Sequence, residues 1–234
     1  MTDSMPQAHW ESISVHNHYG AASVLHTVRS RRETEEFPAS RAKEYVCSLF
    51  PQFADCVDSV KMFKNENTAF CTALGCPAGV GGCYYVNENF ILICWNPIIE
   101  YELVACHELL HFVSRLCGSS VSSIEQEENF AFSKSIRFAL SFGKDIAWVR
   151  DVYMKPFYVY LARSTLSTKA YKNGTPRHVM SNTVSKLADD LAVKNINALI
   201  TKEIGPGAFS MAPRETRPLF KEYEDDEDSP LSYL

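Results

Sequence analysis

Residues 107–111, His107-Glu108-Leu109-Leu110-His111, have the types and the spacing that metal-assisted hydrolysis needs. Two imidazoles four positions apart on an α-helix stand about 40° round and about 6 Å along from each other, so both project from one face. Two ring nitrogens can then reach one ion at the bond lengths of about 2.0–2.1 Å that suit zinc. Glu108 lies about 100° round from His107, too displaced to be a ligand of that face but well placed beside a metal-bound water. Zinc lowers the pKa of such a water towards about 7. A neighbouring carboxylate can take the proton as the water attacks a carbonyl, then pass it to the leaving amine. The pattern therefore predicts His107 and His111 as ligands and Glu108 as general base and then acid.

The competing account is a pair of hydrogen-bonded histidines on a core helix. Chance alone would place HExxH in about two of a hundred chains of this composition. Context favours the metal: Leu103, Val104, Leu110 and Val113 shelter the motif, a strand precedes it, and a carboxylate-rich turn follows. The third ligand should come from residues 124–129, IEQEEN. Glu125 and Asn129 are i, i+4 neighbours, so Asn129 could brace a ligating Glu125 or a histidine. Glu128 shares that face, whereas Glu127 points roughly the opposite way. Ser122-x-x-Glu125 also fits a capping box, which would occupy the Glu125 carboxylate and leave Glu128 better matched in depth to His111. Glu125 is the expected third ligand, with Glu128 as the alternative.

Hydrophobic periodicity places these residues on elements. A helix is expected over 38–50, strands over 57–63 and 68–74 around a Lys64–Asn67 turn, and a Gly- and Pro-rich loop over 75–82. A second strand pair spans 83–86 and 89–95; its apolar run Phe90-Ile91-Leu92-Ile93-Cys94 reads as covered on both faces. Asn96-Pro97 opens the motif helix, which Gly118 stops. The short 119–123 connection folds a helix over 124–142 back beside it. Further helices are expected over 146–163, interrupted near Pro156, and over 182–201 with Leu187, Leu191, Ile196 and Leu199 inward.

The segments GCYYVNENFILICW, ELVACHELLHFV and EQEEN resemble those of gluzincin-type zincin metallopeptidases, nearest to the minimal gluzincins and the ImmA/IrrE-type peptidases. The resemblance covers roughly residues 80–135. In those families an E-x-E-A-[DN] helix supplies the glutamate ligand through its first Glu, which falls on Glu125, with the Asp/Asn partner on Asn129. Glu128 stands where the family has a small Ala. The resemblance implies Glu108 as general base. It also implies substrate laid along the strand before the motif helix, here through Phe90, Leu92 and Cys94. The oxyanion stabiliser of this class is often Tyr or His, for which Tyr153, Tyr158 and His178 are the candidates. The implied fold is α+β and zincin-like: a small twisted, mostly antiparallel sheet with helices on one side, packed on the active-site helix, and a mostly helical C-terminal half. One zinc ion per chain and a peptide or protein substrate, bound by strand addition to the sheet edge, complete the expectation.

The 234 residues are 46% hydrophobic and 22% charged, a globular composition that excludes a disordered, collagen-like or coiled-coil chain. A net charge of −5 argues against a general nucleic-acid binder. No run of 18 apolar residues occurs, so no membrane span is expected. No secretory signal is visible, which points to an intracellular or virion-associated protein. The eight cysteines all precede residue 118, contain no CxxC, and read as reduced, buried small hydrophobes. The expected organisation is a polar segment over 1–37, a peptidase domain over 38–204 (core 38–142, helical extension 143–204) and a disordered acidic tail over 205–234. A rival class is a structural or interaction protein, for instance of a viral particle, in which zinc only staples helices.

Overall fold

The computed structural model describes residues 24–74, 81–94, 98–117, 123–172 and 177–209. Helix α1 (Val24–Arg29) begins where the Glu88 carboxylate accepts the N–H groups of Val24 and Leu25, both at 2.8 Å. Strand β1 (Thr34–Glu36) leads to α2 (Ser40–Leu49). Ala39 precedes α2 with φ 47° and has no capping side chain of its own. Glu102 supplies the acceptor instead, taking the Ala42 N–H at 2.8 Å and fastening α2 to the motif helix. A 3₁₀ turn (Pro51–Phe53) and α3 (Ala54–Ser59) lead to β2 (Lys61–Asn65) and α4 (Thr68–Ala73). Strands β3 (Gly82–Tyr85) and β4 (Phe90–Cys94) then precede α5 (Tyr101–Leu116), which carries the HExxH motif. The remainder is helical: α6 (Ile124–Ser141), α7 (Ile146–Trp148), a π-helical segment (Val149–Met154), α8 (Lys155–Lys172) and α9 (Arg177–Ile204).

The protein is mixed α/β, with one small sheet in the order β1-β2-β4-β3. Strand β2 pairs parallel with β4, while the β1–β2 and β3–β4 pairs are antiparallel, so the sheet is mixed. Alternation along the strands divides its two faces. Met62, Tyr84, Ile91 and Ile93 turn towards α5 and the main core, whereas Phe63, Cys83, Tyr85, Phe90, Leu92 and Cys94 form a second core with Val24 and Val28 of α1 and Cys71 and Leu74 of α4. Helices thus cover both faces, where one covered side was expected. Residues 24–36, read as part of a polar segment, instead supply a layer helix and an edge strand.

Residues 68–74, expected as a strand, are helical up to Ala73. The Asn67 side chain accepts the Phe70 N–H at 3.0 Å and caps the turn, and Cys71 and Leu74 then fall on one buried side. In the 57–63 stretch, Val57 ends up in α3 and only the residues from Lys61 are extended. The interruption expected near Pro156 takes the form of the π-helical segment just before it; Pro156 itself sits in the first turn of α8, where its missing N–H costs little. The inward stripe of α9 is Ala188, Ala192, Ile196 and Ile200, with Leu187 and Leu191 exposed. Seven cysteines lie among the described residues, with no disulfide between them; Cys71, Cys83, Cys94 and Cys106 are buried, and Cys56 and Cys117 are exposed. Among the described residues, no helix is long and apolar enough to cross a membrane. Asn96-Pro97, the Gly118 stop and the acidic tail beyond Phe209 lie outside the described residues, but the motif helix does not open at Asn96-Pro97: residues 98–100 are not helical, and α5 begins at Tyr101 after Glu100.

Close contact between β3 and α5 depends on Gly81 and Gly82. A Cβ on Gly82 would stand 2.9 Å from Val104 Cγ1, 3.0 Å from Glu108 Cγ and 3.3 Å from the Leu92 carbonyl oxygen. One on Gly81 would stand 2.9 Å from Val104 Cγ2. Gly82→Ala should therefore push α5 off the strand and destabilise the fold by about 1–3 kcal/mol, as core overpacking does. Thermal denaturation of the variant beside the parent checks this; an unchanged Tm would show that the contact is slack.

Candidate metal centre

Helix α5 is buried almost all round, and its faces do different work. His107 and His111 project from the side against α6, as four-residue spacing requires. On α6 the cap is Ser123, whose hydroxyl accepts the Gln126 N–H at 3.3 Å, one residue later than a Ser122 box would begin. Glu125 then sits exposed in the first turn, where a carboxylate suits the positive end of the helix. Glu128 falls a turn deeper, about 4.5 Å along the axis, and faces the imidazoles.

The ligand atoms of His107, His111 and Glu128 all lie within 4.8 Å of one another, a group that could hold a metal ion. His107 Nε2 is 3.1 Å from Glu128 Oε2 and 3.1 Å from His111 Nε2, and His111 Nε2 is 3.5 Å from Glu128 Oε1. The carboxylate in the group is thus the alternative candidate, Glu128, and the expected Glu125 lies outside it, exposed in the first turn of α6.

Glu108 points elsewhere, as its rotation about the helix requires. Its carboxylate is only 6% exposed and accepts the backbone N–H of Tyr84 on β3. Burial pushes its pKa above the ordinary carboxylate range, against the pull of His111 and His107. Burial alone would depress His111, but the facing Glu128 carboxylate outweighs it and raises the imidazole to about 9. Glu128 is held well below the usual range because its two histidine partners outweigh its own burial.

His107 is held from behind as well. The Tyr153 hydroxyl lies 3.3 Å from its Nδ1 and 2.8 Å from Ser135 Oγ, and the Phe132 ring packs 4.5 Å from the imidazole. Tyr153 therefore stands at the back of a histidine rather than where an oxyanion stabiliser would face the reacting group. The Tyr158 hydroxyl donates to Asn129 Oδ1, so both of these candidate hydroxyls are engaged, and Asn129 braces a tyrosine rather than Glu125 or a histidine. His178 belongs to α9, and its side chain lies outside the described residues. Phe90, Leu92 and Cys94, expected along a substrate edge, belong to β4, an interior strand, and point into the core on the side away from α5. The edge nearest the motif helix is β3. Neither the Tyr84–Glu108 contact nor the Ser135–Tyr153–His107 contacts had a sequence signal, since each joins elements that only the tertiary fold brings together.

Comparison with known protein families, curated proteins and solved structures finds no match for this chain.

In the metal-free chain these charges dictate a pH dependence. The raised His111 contributes stability that is fully present below 6.5 and is lost as pH climbs through about 9. The depressed Glu128 contributes stability present above 4.5 and lost as pH falls further. The raised Glu108 adds a loss that begins as pH climbs above 4.5, so thermal melts of the metal-free chain should be highest near 4.5 and decline on both sides, with a further alkaline fall through about 9 from His111. A Tm that stays level across the alkaline limb would contradict the His111–Glu128 pairing.

Proposed function

We propose that this chain is a zinc-dependent peptidase of the zincin type, with His107, His111 and Glu128 holding one zinc ion and Glu108 acting as general base and acid. The observation that carries the reading is the spacing of three buried donors beside a separate buried carboxylate. Donors bonded to zinc at about 2.0–2.1 Å in a tetrahedral arrangement stand roughly 3.3 Å apart. His107 Nε2 lies near that distance from both partners, 3.1 Å from His111 Nε2 and 3.1 Å from Glu128 Oε2, while His111 faces the other carboxylate oxygen, Oε1, at 3.5 Å. Among the described residues the group has three protein donors, which is the catalytic pattern; a purely structural zinc site takes four. Cys106, the nearest thiol in sequence, is outside the group, and Cys117 is exposed.

Bound zinc would supply Lewis-acid polarisation and a water molecule of lowered pKa. The protein's own part is proton handling and alignment. Burial raises the Glu108 pKa in the direction that a group alternating between base and acid near neutrality requires. The Tyr84 N–H holds that carboxylate against β3. The Cys94 N–H donates to Gly81 O at 2.8 Å, so the 83–92 and 85–90 pairs are the hydrogen-bonded ones. The peptide groups of Gly82 and Tyr84 consequently point away from β4. An extended peptide added along β3 would run past Glu108 and pair with the Gly82 peptide group and the Tyr84 carbonyl, the Tyr84 N–H being engaged by Glu108.

Purified protein should contain about one equivalent of zinc, and Glu128→Ala should lose it while Glu125→Ala keeps it. Glu108→Gln should retain the metal yet lower cleavage of a mixed peptide library by about 10²–10⁴-fold. Elemental analysis and mass-spectrometric detection of cleaved peptides are the measurements. Undiminished cleavage by Glu108→Gln would overturn the peptidase reading.

A further inference from the structure

We propose that Tyr153 and Ser135 form a proton-directing chain that holds His107 as its Nδ1–H tautomer and so frees the Nε2 lone pair for the ion it would share with His111 and Glu128. The chain runs through three contacts: His107 Nδ1 to Tyr153 Oη at 3.3 Å, Tyr153 Oη to Ser135 Oγ at 2.8 Å, and Ser135 Oγ to the Phe132 carbonyl oxygen at 3.1 Å. The inference rests on the metal reading above, because a metal on Nε2 requires the ring proton on Nδ1.

The direction of each hydrogen bond follows from counting protons. A hydroxyl carries one proton and can also accept. The Phe132 carbonyl can only accept, so the Ser135 proton goes there. Ser135 Oγ is then an acceptor for the Tyr153 proton, and Tyr153 Oη in turn becomes an acceptor for Nδ1–H. Every proton has a place, and the chain ends on an atom that has none to give. Ser135 is wholly buried and Tyr153 nearly so, which leaves no water to substitute for either hydroxyl.

Backbone geometry supports the arrangement from two elements. On α6, Glu128, Phe132 and Ser135 follow at four- and three-residue intervals, so one helix face presents the carboxylate, the ring against His107 and the end of the chain. Tyr153 comes from the π-helical segment, a wider winding that recurs at functional sites. Trp148 stacks parallel to its ring at 6.3 Å and Phe132 packs edge-on at 5.2 Å, so the phenol has little freedom to turn away. Tyr153 and Ser135 are accordingly positioning residues, acting through His107.

The test uses the full chain and its Tyr153→Phe and Ser135→Ala variants, with zinc affinity measured by chelator competition and the His107 tautomer read from long-range ¹H–¹⁵N spectra. Both variants should bind zinc more weakly, Tyr153→Phe by about 10–100-fold and Ser135→Ala in the same direction although it never touches the histidine. In both, the His107 nitrogen shifts should move away from the Nδ1–H pattern. Phe157→Leu, which alters packing against Phe132 without entering the chain, should lower the Tm and leave the tautomer in place. If both hydroxyl variants keep the parent's His107 nitrogen shifts, or bind zinc within about twofold of the parent, the proposal is wrong. Should the parent bind no zinc, the metal reading fails and the tautomer proposal fails with it, because Glu128 then competes for a proton on Nε2; a parent that binds zinc beside variants with unchanged affinity and shifts overturns the chain alone.

Discussion

Everything in this molecule is arranged around one costly act, the burial of two imidazoles and two carboxylates inside a helical hairpin. A carboxylate removed from water without compensation costs on the order of several kcal/mol. Here Glu128 is compensated by His107 and His111, and Glu108 by a backbone N–H from the sheet together with the nearby imidazoles. Each compensation demands that its element arrive in register. Ser123 caps α6, whose second turn brings Glu128 to the imidazoles. Glu102 on the motif helix caps α2 and fixes the layer behind it. Gly81 and Gly82 let β3 come near enough to reach Glu108.

The division of labour around α5 follows from helical pitch. Successive residues turn by about 100°, so His107 and Glu108 cannot serve the same face. The imidazoles look to α6, and the carboxylate looks to the sheet edge. Leu103, Cys106, Leu109, Leu110 and Val113 are wholly buried in the core. A helix enclosed in this way has little room to slide, which is what a site built from three elements requires. The mixed sheet serves the same end: β4, with all five residues buried, anchors the second core, and β3 is left as the edge beside Glu108.

How much of this was legible in the residues depended on how local the cause was. The motif helix, the helix after it and the β3–β4 pair follow from short-range periodicity, and they lie close to where that periodicity put them. Residues 68–74 did not, because an apolar run of that length suits either a strand or a capped helix, and the Asn67 cap decided it. Glu128 was one of two readings of the same five residues, and the choice turned on how deep along α6 the imidazoles lie, which only the packing of the two helices sets. The α9 stripe departs from the leucine pattern because alanines at 188 and 192 let the helix backbone approach its neighbours closely and leave Leu187 and Leu191 outside. Glu108 to Tyr84 and His107 to Tyr153 had no local cause at all.

Charge balance explains why a neutral phenol suits the back of His107. Imidazoles that hold metals often give their second N–H to a carboxylate, which strengthens the ring as a donor. In this chain two carboxylates, Glu108 and Glu128, are already buried beside the histidines, and together they match the charge of a single divalent ion. A third carboxylate behind His107 would sit among Phe132, Trp148 and Tyr153-side aromatic packing with no cation of its own. A tyrosine whose proton is drawn off through Ser135 accepts the same N–H and adds no charge. The polar chain can therefore be long and still wholly buried, because each link is neutral and its last acceptor is a backbone carbonyl.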